Sequence, residues 1–302
     1  MKKFMKRSAI VAFILICVGL VISVTAGCIV GIDSIDKVVN STTNGKMRVS
    51  LNPRSSFWGI SFHTGKTVEE DSSFGDNEKI NLGSEVTSLI IRCGGCEITQ
   101  KISPDQNFYV ESNDSKRLTA DVKDGVLNLK YGVDGISIGD FDAVITIYIP
   151  KEADFENIDV NLGAGEMTFG EISAKQFLVD LGAGEIDIAS LTADECNLSV
   201  GAGEVNITNM AVGTLNANVG MGEFAARGAA LKTVNLDCSM GEIDLNLEGR
   251  ETDFDYEVEA AMGEVTIGDR SYSGLGQKQK IMNDADKTMK VKCGMGEVKI
   301  LF

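Results

Sequence analysis

Five glutamates, Glu166, Glu185, Glu204, Glu223 and Glu242, recur every 19 residues, each directly after a glycine. A carboxylate repeated at a fixed interval is the pattern most able to do chemistry in this chain. Hard cations take oxygen ligands, so the row is a candidate calcium ladder of the kind seen in repeat-in-toxin β-rolls, although those use aspartate in a different nonapeptide. The alternative is structural: each carboxylate caps the backbone N–H groups of its own glycine turn or splays into solvent. Other candidates are weaker. Cys93-Gly94-Gly95-Cys96 is a CxxC, but no helix follows it to lower a thiol pKa and no second CxxC completes a zinc set. Whether Cys93 and Cys96 bond to each other is left open. His63 is the single histidine, which argues against Ser-His and His-rich metal chemistry. Ser34-Ile35-Asp36-Lys37 fits an S-x-x-K pattern and His63-Thr64-Gly65 faintly echoes K-T-G. The two lie too close together, outside any domain, to form a penicillin-binding site. No catalytic residue, cofactor site or firm metal site is therefore expected.

The elements that would position the glutamates are strands. The line Ile158-x-Val160-x-Leu162-Gly163-Ala164-Gly165-Glu166-Met167-x-Phe169 returns as Phe177-x-Val179-x-Leu181-Gly182-Ala183-Gly184-Glu185-Ile186-x-Ile188. Shorter matches follow at Gly201–Glu204, Gly220–Glu223 and Ser239–Glu242, with looser ones at Ala261–Glu264 and Gly294–Glu297 and an early one at Gly94–Glu97. Apolar residues alternate with polar ones on both sides of each turn, a period of two that means strand with one face buried. Glycines reach positive φ where the chain must bend between two strands. A further apolar residue (Ile172, Leu191, Met210) turns the chain back inward. One such unit cannot bury its own face, but stacked units can, about 4.8 Å apart. The expected fold is all-β, a right-handed parallel β-solenoid of about 19-residue coils, with the insertions after Glu242 and Glu264 bulging out as loops. Cys93, Cys238 and Cys293 fall where other copies have Leu162, Leu181 and Val200, and Cys196 takes the place of Phe177, so these read as small core residues. Before the repeats, Leu118–Tyr131 reads as a hairpin turning at Lys123-Asp124-Gly125, and Ala143–Ile149 as a β-run ended by Pro150.

The N-terminus is an address. Lys2, Lys3, Lys6 and Arg7 precede an uncharged run from Ser8 to Val30, 23 residues long. As a helix it would span roughly 35 Å, enough for a bilayer and longer than a cleavable signal requires. The basic flank would stay inside, placing everything after Gly31 outside the cytoplasm. Thr25-Ala26-Gly27-Cys28 resembles a lipobox, with threonine in place of the usual aliphatic residue, so lipidation at Cys28 is the alternative, and plain secretion a third. The expected organisation is a cytoplasmic flank (1–7), an anchor (8–30), a polar stalk (31–79) and a solenoid domain (80–302), whose 80–150 part is capping and 151–302 part regular. With 28 basic against 44 acidic side chains and a formal charge of −16, a nucleic-acid partner is not expected.

A β-run ending in Ile149-Pro150-Lys151, followed by repeated Gly-Ala-Gly-Glu turns between alternating strands, resembles the bacterial "putative adhesin" family of unknown-function envelope domains. The resemblance covers roughly residues 80–302. It implies an anchored envelope protein and no catalytic residues. The expected function is a non-enzymatic, membrane-anchored cell-envelope module binding a protein or cell-wall polymer, with self-association possible, or an accessory to envelope-stress signalling. The alternatives are a polysaccharide-acting β-helix enzyme and a calcium-binding surface rod.

Overall fold

The computed structural model describes residues 77–132, 143–273 and 276–302, together with the backbone of 47–51 and 60–64. The expected anchor at 8–30, Cys28 and the S-x-x-K residues lie outside the described residues. No helix of the described residues is long and apolar enough to cross a membrane. The chain divides into two units, 1–69 with 134–139, and 70–133 with 140–302. In the first, β1 (Met47–Leu51) and β2 (Ile60–Thr64) form an antiparallel pair, with Arg48 opposite His63. The segment expected to be a polar stalk contains this strand pair. Its cue was the short alternation Met47, Val49, Leu51.

The second unit is a parallel stack of coils. Its strands in chain order are β3 (Ile80–Gly83), β4 (Ser88–Ile102), β5 (Phe108–Ser112), β6 (Leu118–Lys123), β7 (Val126–Tyr131), β8 (Val144–Ile149) and β9 (Asp154–Val200). There follow β10 (Glu204–Val219), β11 (Glu223–Cys238), β12 (Glu242–Leu247), β13 (Phe254–Ala260), β14 (Glu264–Ile267), β15 (Arg270–Ser273), β16 (Gln277–Ile281), β17 (Lys287–Cys293) and β18 (Glu297–Leu301). The long runs are extended chain that passes through corners. Parallel pairing at an offset of 19 sets Val205 against Ile186 and Phe224, and Val219 against Val200 and Cys238. Alternate residues point inward, so Leu162, Leu181, Val200, Val219 and Cys238 are all buried, as are the return-segment residues Ile172, Leu191 and Met210. The all-β, solenoid-like reading holds on these pairings.

Chain order and stacking order differ at both ends. β4 packs on the first coil of β9, with Leu89 opposite Ile158 and Cys93 opposite Leu162. The coil built from β7 and β8 comes later in the chain yet lies outside β4. At the other end, β17 and β18 slot between β11–β12 and β13–β14: Cys293 faces both Cys238 and Ala260, and Glu297 faces both Glu242 and Glu264. The last-written coil is thus second from the end.

Antiparallel strands then close each terminal coil. β6 pairs with β7 and β5 with β8, while β3 pairs in turn with β5; β16 pairs with β13 and β15 with β14. The insertion after Glu264, expected to bulge as a loop, instead supplies β15 and β16. The physical reason is the unpaired edge, a template for further pairing unless covered. Lys278 on β16 adds charge there, paired with Glu257 and Glu259. The Leu118–Tyr131 hairpin is present, with Asp124 and Gly125 both at positive φ as a type I′ turn needs.

Candidate functional surface

The corner of each coil is fixed by backbone contact. A Cβ on Gly222 would lie 2.1 Å from the Gly203 carbonyl oxygen, and one on Gly241 2.2 Å from that of Gly222. Positive φ adds to this at Gly165, where a Cβ would lie 2.1 Å from the Cys96 carbonyl oxygen. The expectation that these glycines serve the bend by positive φ holds at Gly165 and Gly184 but not at Gly203, Gly222 or Gly241, where φ is not in that region. There the glycine is needed because neighbouring coils approach too closely for a side chain.

Through the corners the inter-coil hydrogen bonds continue without a break. Met221 N–H donates to Gly201 O, Met240 to Gly220 O, Met295 to Ser239 O and Met262 to Gly294 O, all at 2.7–2.8 Å. The glutamate N–H groups two residues on do the same, Glu223 to Gly203 O and Glu242 to Gly222 O. These N–H groups are therefore spent on the neighbouring coil. Among the described residues no glutamate of the row accepts from its own turn, so the turn-cap reading is corrected.

The five predicted glutamates do come together in one row. Glu204 sits opposite Glu185 and Glu223, Glu223 opposite Glu242, and Glu97 opposite Glu166. Glu297 and then Glu264 continue it, in that order rather than the chain order. The carboxylates feel one another. Burial, then Glu242 and Glu204, push Glu223 above the ordinary glutamate range; burial, then Glu297, do the same to Glu242. For Glu185 the neighbouring Asp187 is the first cause, then burial, then Glu204 and Glu166. Partners are few: Asn206 Nδ2 donates to Glu204 Oε1 at 2.8 Å and Ser271 Oγ to Glu264 Oε1 at 2.7 Å. The carboxylates form a line. Among the described residues no three His, Cys, Asp or Glu side chains converge as a metal cage would require.

Cys93 and Cys96 are bonded to each other and buried beneath the first corner. Cys196, Cys238 and Cys293 are free and buried. Burial pushes the Cys196 thiol up to about 12, and the Cys238 and Cys293 thiols each donate to a corner carbonyl, Gly241 O and Gly296 O, at 3.1 Å. These are core groups, as their alignment with leucine, valine and phenylalanine implied.

Two rows were not foreseen. Asn235 donates to Asn216 and Asn216 to Asn197, each at 2.7 Å, with Asn197 donating on to Glu195 at 3.0 Å. Their 19-residue spacing was the available signal. This amide ladder borders a shallow open depression that Asp159, Asp180, Asn197, Asn216 and Asn218 help to line. The second row is the middle corner residue, alanine in Ala164, Ala183 and Ala202 and methionine in Met221, Met240, Met295 and Met262.

The sequence matches the Toastrack DUF4097 family over residues 34–301. The chain belongs to that family. Toastrack membership agrees with the adhesin-domain resemblance expected from the Gly-Ala-Gly-Glu corners. No curated protein is significantly similar to the chain. Among solved structures, a "putative adhesin" from Bacteroides fragilis is 14% identical, with 75% of this chain and 98% of that one covered and a TM-score of 0.39. A "putative cell adhesion protein" from Clostridium sporogenes is 17% identical, covering 74% and 97%, TM-score 0.30. A "putative lipid binding protein" from Parabacteroides distasonis is 13% identical, covering 76% and 98%, TM-score 0.30. Likeness at this level transfers neither ligand nor partner to this Toastrack chain.

Proposed function

We propose that this is a non-enzymatic cell-envelope protein whose coil stack, a right-handed solenoid, is a rigid scaffold for binding a protein or a cell-wall polymer. Residues 8–30 anchor it in the membrane with the basic flank inside and the stack extracytoplasmic; lipidation at Cys28 is the alternative attachment. The regularity of the exposed rows from coil to coil supports this reading. Hydrogen bonds between side chains 19 residues apart recur along the stack: Ser173 to Asp154, Lys175 to Glu156, Asn206 to Asp187, Asn209 to Ser190. A hydrolytic cleft on such a scaffold needs carboxylates that differ in environment and break the repeat. A repeated surface suits an extended partner that makes the same contact many times.

The test uses the full chain with purified cell-wall sacculi, measuring the protein in the pellet and the reducing ends released. The proposal expects retention by sacculi or by an envelope protein cross-linked in cells, with no new reducing ends. Release of reducing ends that stops when a few carboxylates become amides would establish the polysaccharide-acting enzyme instead.

A further inference from the structure

Four methionines stand on consecutive corners of the coil stack. Stacking order makes them Met221, Met240, Met295 and Met262, since the Glu297 coil lies between those of Glu242 and Glu264. All are exposed, from 52% at Met240 to 66% at Met221. Their backbones are pinned by the inter-coil bonds of the corners, which sets the spacing at about one rung, 4.8 Å. No leucine, isoleucine, valine or phenylalanine occupies this position in any copy; it is glycine, alanine or methionine. An apolar docking ridge would accept any large aliphatic residue. The common feature of the four is the thioether sulfur.

We infer that this methionine ridge is a binding site for a soft monovalent cation, copper(I) in chemical class. Thioethers select soft d¹⁰ ions, whereas carboxylates suit calcium and magnesium. With a metal–sulfur bond of about 2.3 Å, two sulfurs on opposite sides of one ion lie about 4.6 Å apart, close to the rung spacing. Unbranched methionine, with its rotatable side chain, closes the small remaining difference and lets a third rung join. The second observation is the row beside it. Each methionine is followed two residues later by a glutamate, and the pairing that stacks the methionines sets Glu223, Glu242, Glu297 and Glu264 one above another in the same order. That negative line raises the local concentration of any cation, and the sulfurs choose the soft one. Among the described residues the free thiols, Cys196, Cys238 and Cys293, are buried and far less accessible. Cys17 and Cys28, whose thiols would bind a soft ion more tightly than a thioether, are replaced by Cys17→Ser and Cys28→Ser in the protein tested.

The test is silver(I), a redox-inert probe, titrated into the full chain carrying ¹³C-methyl methionine. Met282 is also exposed, at 58%, but stands outside the ridge and serves as the internal control. The first equivalents should shift the methyl signals of Met221, Met240, Met295 and Met262 and leave Met282 in place. Changing all four to leucine should keep the fold and weaken silver binding at least tenfold in a competition assay. Equal response of Met282, or undiminished silver affinity in the leucine variant, would overturn the site and leave an apolar ridge.

Discussion

Gly222 concentrates the constraint that shapes every corner. Its place on the chain is 2.1 Å, measured from a would-be Cβ, from the Gly203 carbonyl oxygen. Backbone on backbone cannot yield as a flexible side chain does, so Gly222→Ala should cost about 2–3 kcal/mol, in the range of overpacking a tight site. Chemical denaturation checks this, and an unchanged midpoint would show that the coils separate more easily than their hydrogen bonds imply. The glutamates one residue further along act in the opposite sense on stability. Their folded pKa values are raised, so between neutral pH and the ordinary glutamate range, about 4.3, the folded chain binds more protons than the unfolded one. Their contribution therefore improves as pH falls through that window. Asp105, Asp253 and Glu259 are lowered by their hydrogen-bond partners and lose their contribution only at more acid pH, below the ordinary carboxylate values. Melting temperature should rise from pH 7 towards pH 5, and the Glu185→Gln, Glu223→Gln, Glu242→Gln variant should melt higher at pH 7 with a smaller rise. A fall in melting temperature over the same range in the unchanged chain would mean the row is stabilised by something not yet identified.

At the scale of elements, stability passes between neighbouring coils. Leu181 is 1% exposed in the middle of β9, and Leu181→Asp would bury a charge with no partner. Several coils should lose hydrogen-exchange protection together, on both sides of residue 181; loss confined to its own coil would contradict the stacked core. Ending the chain at residue 286 removes β17 and β18, the coil shared by β11–β12 and β13–β14. Two parallel edges are then left unpaired, so aggregation and loss of protection in 254–281 are expected, read by light scattering and exchange. Strand type, corner position and inward face were legible in the sequence because the period of 19 and the two-residue alternation report them directly, as at Leu162, Leu181 and Val200. Stacking order was not. Glu264 precedes Glu297 in the chain, and nothing local to either says that β18 will return to sit between β12 and β14, because both choices satisfy the same alternation. The antiparallel closure by β15 and β16 was missed for a related reason: a short polar run such as Gln277–Ile281 becomes a strand only because an edge is there to receive it.

The whole molecule converts a one-dimensional repeat into rows of like side chains along one axis. Glutamates, asparagines and methionines from distant parts of the sequence become neighbours, and the proposed binding role and the soft-cation site both rest on that alignment. At about 4.8 Å, two charges in water repel by roughly 0.9 kcal/mol, falling to about 0.5 at physiological salt. A row of such charges is therefore tolerated while remaining a strong local field. The alignment is tested most directly by methyl–methyl nuclear Overhauser contacts in the same ¹³C-methyl methionine protein. Met221–Met240, Met240–Met295 and Met295–Met262 should each give a cross-peak, being one rung apart, while Met240–Met262, two rungs or about 9.6 Å apart, should give none. A direct Met240–Met262 contact with none between Met240 and Met295 would mean that the coils stack in chain order, and the rows as described would not exist.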